Sequence, residues 1–327
     1  MRLGLFMNFE HGEEDNLAAF KRQTDLAVKA EALGLDELWV SEHHFSTFTQ
    51  SGSVLPLMAC LAGRTSRIRI GSAAILMPLH DPIRVAEDLA TIDILSQGRL
   101  NLGLARGGPF PAQFKHFGVA LEEARDQARE ATEFLLRLLS EREVTFKGRW
   151  YQAEDLTTLP RLVQHPLPVW IASATQETVA DAGRRGFGLM AGHAWPGEMI
   201  SGLLDTYKVA AKRTYPDLVV LRNVCVADTD AAALKAAIPA LERFFGRMRE
   251  HSNPGRPSSS PVSLENVLPP AIIGSPETCR RKLAELASKV PVSSLVMKIA
   301  CLDPSLAVET VRRFREEIVE SAIAQTA

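Results

Sequence analysis

Leu3-Gly4-Leu5-Phe6-Met7-Asn8-Phe9 is followed by apolar residues at helical spacing from Leu17 to Leu33 and then by Gly34; this reads as a strand, a helix and a helix-ending glycine. The unit recurs. Glu37 to Val40 leads into a helical segment over Pro56 to Ala62, Ile68 to Leu76 into Ile83 to Leu95 with Gly98 behind it, and Leu100 to Leu104 into Leu121 to Leu139. Val144 to Tyr151 alternates as a hairpin strand does. Four further strands follow at Pro168 to Ala172, Phe187 to Ala191, Val219 to Val226 and Ser294 to Ile299, with helical segments near 178–183, 198–213, 230–250 and 304–323. Eight near-continuous apolar strands alternating with helices predict an α/β fold, a closed (β/α)8 TIM barrel with insertions in which residues 1–327 form a single domain. A doubly wound open sheet is the alternative. It lacks the G-x-G-x-x-G expected after the first strand, and Gly103, Gly107 and Gly108 have the wrong spacing. Residues 250–270, rich in proline and serine with almost no apolar periodicity, predict a long loop that forms a mobile lid on the C-terminal face.

The 327 residues are 46% hydrophobic and 23% charged, which excludes disordered, collagen-like and membrane classes. Lys and Arg total 37 against 39 for Asp and Glu, so no broad field favours nucleic acid or an anionic membrane, and a small molecule is the expected partner. Cys60, Cys225, Cys279 and Cys301 form no C-x-x-C pair and are expected to be buried thiols of a reducing compartment. With no apolar run of ~18 residues, a cytoplasmic location is expected. H-E-x-x-H, G-x-x-x-x-G-K-[ST] and G-x-S-x-G are all missing, which disfavours zinc proteases, P-loop enzymes and serine hydrolases.

Three strand ends carry chemistry, and in a barrel these ends line the catalytic face. The first, Trp39-Val40-Ser41-Glu42-His43-His44-Phe45, places adjacent imidazoles on opposite sides of an extended chain, one toward the mouth and one outward, so no metal is expected between them. Glu42 can fix the tautomer of a ring as a hydrogen-bond acceptor, or the group can be a satisfied polar cluster. The second, Gly103-Leu104-Ala105-Arg106-Gly107-Gly108, offers a guanidinium beside glycines; it reads either as a phosphate clamp or as a surface arginine beside a turn. In the third, Ala172-Ser173-Ala174-Thr175-Gln176-Glu177-Thr178, hydroxyl residues at a helix start either cap it or hold an anion. His193 is the scattered histidine best placed to reach the mouth.

In this order and separation the motifs resemble the bacterial luciferase family of flavin-dependent monooxygenases, and the similarity spans nearly the whole chain. It is carried by Glu42 to Phe45, Ile70-Gly71-Ser72-Ala73-Ala74-Ile75, Pro82 with Glu87-Asp88, and Ser96-Gln97-Gly98-Arg99, and more weakly by Pro168 to Ile171 and Gly274 to Glu277. The resemblance implies a (β/α)8 barrel that binds reduced FMN at its C-terminal mouth. It also implies a flavin 4a-hydroperoxide, insertion of one oxygen atom of O2 into a small organic substrate, and a separate flavin reductase. By the same resemblance His43 is the catalytic histidine with Glu42 orienting it and His44 beside it, Arg106, Thr175 and Thr178 hold the phosphate, Phe6 lines the pocket, and Ala73-Ala74 forms a non-prolyl cis peptide beneath the ring. Two positions depart from luciferase: Ala105 stands where its catalytic subunit has a reactive cysteine, and Ala174 where it has an acidic residue beside the flavin. Light emission from a long-chain aldehyde is therefore not implied, and the substrate is left open. Two alternatives stay open, an F420-dependent hydride-transfer enzyme of the same superfamily and a noncatalytic flavin-binding subunit; retention of His43 and Arg106 argues against the second. A homodimer through the apolar helices 52–62 and 83–95 is also expected.

Overall fold

Eight of the apolar runs form parallel strands that close on themselves, as they must when every strand is buried on both faces. The computed structural model describes residues 1–10, 15–108, 110–212, 215–252 and 263–320. The strands are β1 (Arg2–Met7), β2 (Glu37–Val40), β3 (Arg69–Ser72), β4 (Ile75–Leu76), β5 (Leu100–Ala105), β6 (Val144–Lys147), β7 (Gln152–Leu156), β8 (Val169–Ala172), β9 (Gly188–Ala191), β10 (Leu218–Val226), β11 (Ile272–Gly274) and β12 (Ser294–Ile299). Around the ring the order is β10-β12-β1-β2-β3-β5-β8-β9, and β9 pairs β10 again. β6 and β7 form a separate antiparallel hairpin, β4 pairs β5, and β11 extends the end of β10.

Alternation along the strands separates interior from exterior. Val219 and Leu221 of β10 and Val296 of β12 meet Phe6, Trp39, Trp170 and Met190 inside the barrel, whereas Val220, Val224, Leu295 and Met297 join the core beneath the helices. The two tryptophans meet edge to face with ring centroids 5.2 Å apart. Gly71 and Gly188 make room for them, since a Cβ on either would overlap the indole of Trp39 or Trp170. At the lower end, buried Glu37 accepts hydrogen bonds from Arg2 (2.5 Å), Trp39 Nε1 (2.9 Å) and Ser294 Oγ (2.6 Å).

The helices are α1 (Asn16–Ala32), α2 (Val54–Arg64), α3 (Pro82–Leu95), α4 (Pro111–His116), α5 (Ala124–Ser140), α6 (Gln176–Arg185), α7 (Gly197–Ala210), α8 (Asp230–His251), α9 (Leu264–Val267), α10 (Pro276–Lys289) and α11 (Pro304–Arg313), with a π-helical turn at Phe314–Glu320. Asp15, Asp81, Thr229, Ser275 and Asp303 cap their helices, each accepting a hydrogen bond from a first-turn backbone N–H. The expected helix near 230–250 forms as α8, whose aromatic residues pack at the mouth, and α10 between β10 and β12 packs on α7 and on the Phe314–Glu320 turn. Two sequence expectations need correction here. The expected loop at 250–270 is partly helical, with α8 running to His251 and α9 at Leu264–Val267; residues 253–262 of that lid lie outside the described residues. Cys60 is exposed and Cys301 half-buried, leaving Cys225 and Cys279 as the buried thiols. The apolar residues of α2 and α3 are largely buried against the barrel, and Ile94 and Leu95 at the end of α3 are exposed. Among the described residues, no helix is long and apolar enough to cross a membrane.

Candidate functional site

The end of β2 sends its three ionisable residues in two directions. His44 turns outward, and its Nε2 lies 2.7 Å from Oε1 of the buried Glu42. Nε2 of His80, from the segment after β4, lies 2.7 Å from the same oxygen, while the Leu76 N–H donates to Oε2 at 2.9 Å. Burial would push the Glu42 carboxyl up, but the hydrogen bonds from His44 and His80, the charge of His80 and the Leu76 N–H outweigh it and hold the pKa down at about 2. Glu42, His44 and His80 are close enough to ligate a metal ion, yet both imidazoles converge on a single carboxylate oxygen at hydrogen-bond distance. Glu42 therefore positions His44 and His80 and does not hydrogen-bond His43, which corrects the expectation that it orients the catalytic imidazole.

His43 faces the mouth. Its ring is half-buried, with centroids 5.1 Å from Phe48 and 5.6 Å from Phe110, and its Nδ1 is buried with no partner among the described residues. Desolvation lowers its pKa to about 4 against a partial counter-effect from the Glu42 charge, so the imidazole is neutral at physiological pH. His193, after β9, reaches the same space as the sequence predicts and is driven to about 3 by burial and by the charges of Lys298, Arg222 and His43. Phe244 and Phe245 of α8 close over it with centroids 5.9 and 5.3 Å from its ring, and Phe48 meets Phe244 at 5.5 Å. The end of α8 is tied to the β2 side, where the Thr47 N–H donates to Nε2 of His251 at 3.1 Å.

A second group lies at the ends of β3, β5 and β8. The Ala73–Ala74 peptide is cis. Arg106 is half-buried just beyond β5 and donates to the Gly107 carbonyl at 3.3–3.4 Å; Gly107 has φ 110°, a backbone conformation open to glycine. Because Leu104 pairs with Ile171, Arg106 comes out beside Ser173 at the end of β8. The chain then passes through exposed Ala174 to Thr175, the N-cap of α6. The Thr175 hydroxyl makes no capping hydrogen bond; its own N–H donates to Ser173 Oγ at 3.1 Å, and Thr178 sits half-buried in the first turn. The first-turn N–H groups of a helix have no intrahelical partner, and here they lie beyond the same strand ends as the Arg106 guanidinium.

Sequence reasoning passed over several residues that the fold brings to the mouth. Lys298 of β12 is buried, pairs with Glu10 at 2.6 Å and lies 3.8 Å from the centroid of Phe244. Arg222 is buried against the carbonyls of Leu221 and Gly192, and burial lowers its pKa to about 10. Asn223 is fully buried with neither amide atom partnered among the described residues. The available signal was a polar pair, Arg222-Asn223, and a lysine interrupting runs otherwise apolar enough to be core strands.

The family model for luciferase-like monooxygenases matches residues 1–292. The chain is 30% identical over 304 residues to y4vJ of Sinorhizobium fredii, a protein of uncharacterised function, spanning 91% of this chain and 86% of that one. It is 26% identical over 258 residues to the oxygenase component of the flavin-dependent trigonelline monooxygenase of Acinetobacter baylyi, spanning 75% and 71%. Among solved structures, the monooxygenase RslO1 of Streptomyces bottropensis superposes with a TM-score of 0.90 at 24% identity over 98% of this chain and all of that one, which shows the shared fold. The oxygenating constituent of 3,6-diketocamphane monooxygenase from Pseudomonas putida, bound to FMN (TM-score 0.78, 19% identity), and an F420-dependent secondary alcohol dehydrogenase (0.77, 16%) share it too, each over 98% of both chains.

Proposed function

The chain belongs to the luciferase-like monooxygenase family, and from that premise we propose that it is an FMNH2-dependent monooxygenase, the oxygenase component of a pair whose separate reductase supplies the reduced flavin. The observation that carries this reading is the pairing of two features on one mouth: Arg106 and the α6 N-terminus beside the small-residue floor at Ala73–Ala74, and the desolvated, neutral His43. The residues present fit the cofactor. Arg106, Thr175, Thr178 and the α6 N–H groups hold the phosphate, while Ala73, Ala74, Ala105 and Ala172 leave a smooth wall against which a planar ring can rest.

When bound, reduced FMN supplies the two electrons that activate O2, so that one oxygen atom enters a small organic substrate and the other leaves as water. The protein does three things around that chemistry. Arg106 and α6 fix the phosphate, and so the placement of everything attached to it. Phe48, Phe110, Phe244 and Phe245 exclude water from the reacting centre. His43, with a lone pair unprotonated near pH 7, exchanges a proton with the reacting oxygen through its unpartnered Nδ1.

The test is stopped-flow mixing of anaerobic protein and FMNH2 with oxygenated buffer. Flavin reoxidation is expected to proceed more slowly than for free FMNH2, and Arg106→Ala should return it to the free rate. If FMNH2 oxidises at the free rate with the native protein while reduced F420 binds, the hydride-transfer alternative takes over; if neither cofactor binds, the enzymatic reading fails.

A further inference from the structure

The mouth floor is divided by chemistry. Inward positions on four adjacent strands, β10, β12, β1 and β2, carry Asn223, Lys298, Asn8 and Ser41, whereas the other four, β3, β5, β8 and β9, present Ala74, Ala105, Ala172 and Met190. Inward placement of Asn223 and Lys298 follows from alternation: Leu221 and Val296 below them face the barrel interior, and the two residues are register partners, so their side chains leave the same face of the sheet. Within the polar arc, Lys298 is neutralised by Glu10, Asn8 Oδ1 accepts from Ser41 Oγ at 2.8 Å, and Asn8 Nδ2 donates to Glu10 at 3.3 Å. Asn223 alone among these four leaves both amide atoms without a partner among the described residues, at 0% exposure.

A buried amide with donor and acceptor both unmade costs free energy twice over, and it is best retained where a ligand supplies both halves. A ligand that is only an acceptor or only a donor would satisfy half of it. β10 lies diametrically across the ring from β3, so Asn223 stands on the opposite side of the mouth from Ala73–Ala74. Resting on the reading of the mouth as a flavin site, we propose that Asn223 binds the pyrimidine edge of the isoalloxazine, its Nδ2 donating to a ring carbonyl and its Oδ1 accepting from the ring N3–H. The ring is two-sided in the same sense as the floor, with an apolar dimethylbenzene end and a polar imide end. The polar arc thereby sets which way round it lies. Phe244 of α8 packs on the Lys298 ammonium at the edge of this arc.

The experiment is equilibrium titration of the purified full chain with FMN and with N3-methyl-FMN, oxidised and anaerobically reduced, read by flavin fluorescence and calorimetry. Native protein is expected to bind N3-methyl-FMN about tenfold more weakly than FMN, the value of one hydrogen bond. Asn223→Leu, similar in size but without polar atoms, should weaken FMN about tenfold and bind the two flavins alike, while its thermal midpoint without flavin is no lower than that of the native chain. Equal binding of the two flavins by native protein, or discrimination that survives in Asn223→Leu, overturns the assignment while leaving the flavin site standing. Native protein that binds no FMN in either redox state overturns both.

Discussion

His43 and His193 are imidazoles held neutral by burial, with pKa values near 4 and 3 against 6.5 for an exposed ring. Two consequences follow at the scale of single residues. Because the folded values lie below the unfolded one, the unfolded chain takes up protons as pH falls from 6.5 while the native chain does not. Stability contributed by these rings is therefore complete above pH 6.5 and is lost toward pH 4. Urea midpoints measured at pH 7 and pH 5 should fall with pH, and His193→Phe should flatten that fall; an unchanged slope in the variant would show that other groups cause it. The second consequence is kinetic: the step that depends on His43 should hold level from pH 8 to about 5, and His43→Ala should slow oxygen transfer far more than it weakens FMN binding. Equal losses of rate and affinity would remove the proton-exchange role. Glu42 works differently, since its ionised carboxylate binds both His44 and, 38 residues further along the chain from Glu42, His80. Its contribution is present above pH 4.5 and is lost as pH falls toward 2. Glu42→Ala strands two imidazoles and a backbone N–H, and calorimetric unfolding should report a loss of roughly 2–3 kcal/mol.

At the scale of elements, the start of α6 and the middle of β3 make opposite demands. An N-cap threonine usually contributes about 1 kcal/mol to its helix. Thr175 makes no such bond, so Thr175→Ala should leave the melting temperature nearly unchanged while weakening FMN and sparing riboflavin, which lacks the phosphate. A stability loss as large as that of an ordinary cap would mean that the hydroxyl serves the helix. β3 tolerates no addition at Gly71, where the Trp39 indole fills the space of a side chain; Gly71→Ala should cost about 1–3 kcal/mol through overpacking, read by denaturant unfolding. The strands and most helices were legible because period and punctuation are local. α10 carries such a signal too, with Ser275 at the cap, Pro276 at the first position and Cys279, Leu283 and Leu286 at helical spacing.

For the whole molecule, closure of the ring brings strand ends from all parts of the chain onto one mouth, and ligand binding there should stabilise the entire fold. At a hundredfold excess over its dissociation constant, FMNH2 should add about 2.7 kcal/mol, visible as a raised melting temperature that Arg106→Ala diminishes at the same flavin concentration. The sequence by itself determined the barrel and put Glu42 to His44, Arg106 and Thr175 beyond the ends of its strands, because hydrophobic period and the alternation of strand with helix are properties of neighbouring residues. Tertiary structure decided the rest. It alone gave Glu42 to His44 and His80 and left His43 bare, laid α8 across the mouth with Phe244 over Lys298, and set the orphaned amide of Asn223 opposite Ala73–Ala74. Those outcomes depend on which strands become neighbours when the ring closes and on how deeply each group is buried. Both are set by contacts between residues far apart in the chain, which local spacing does not encode.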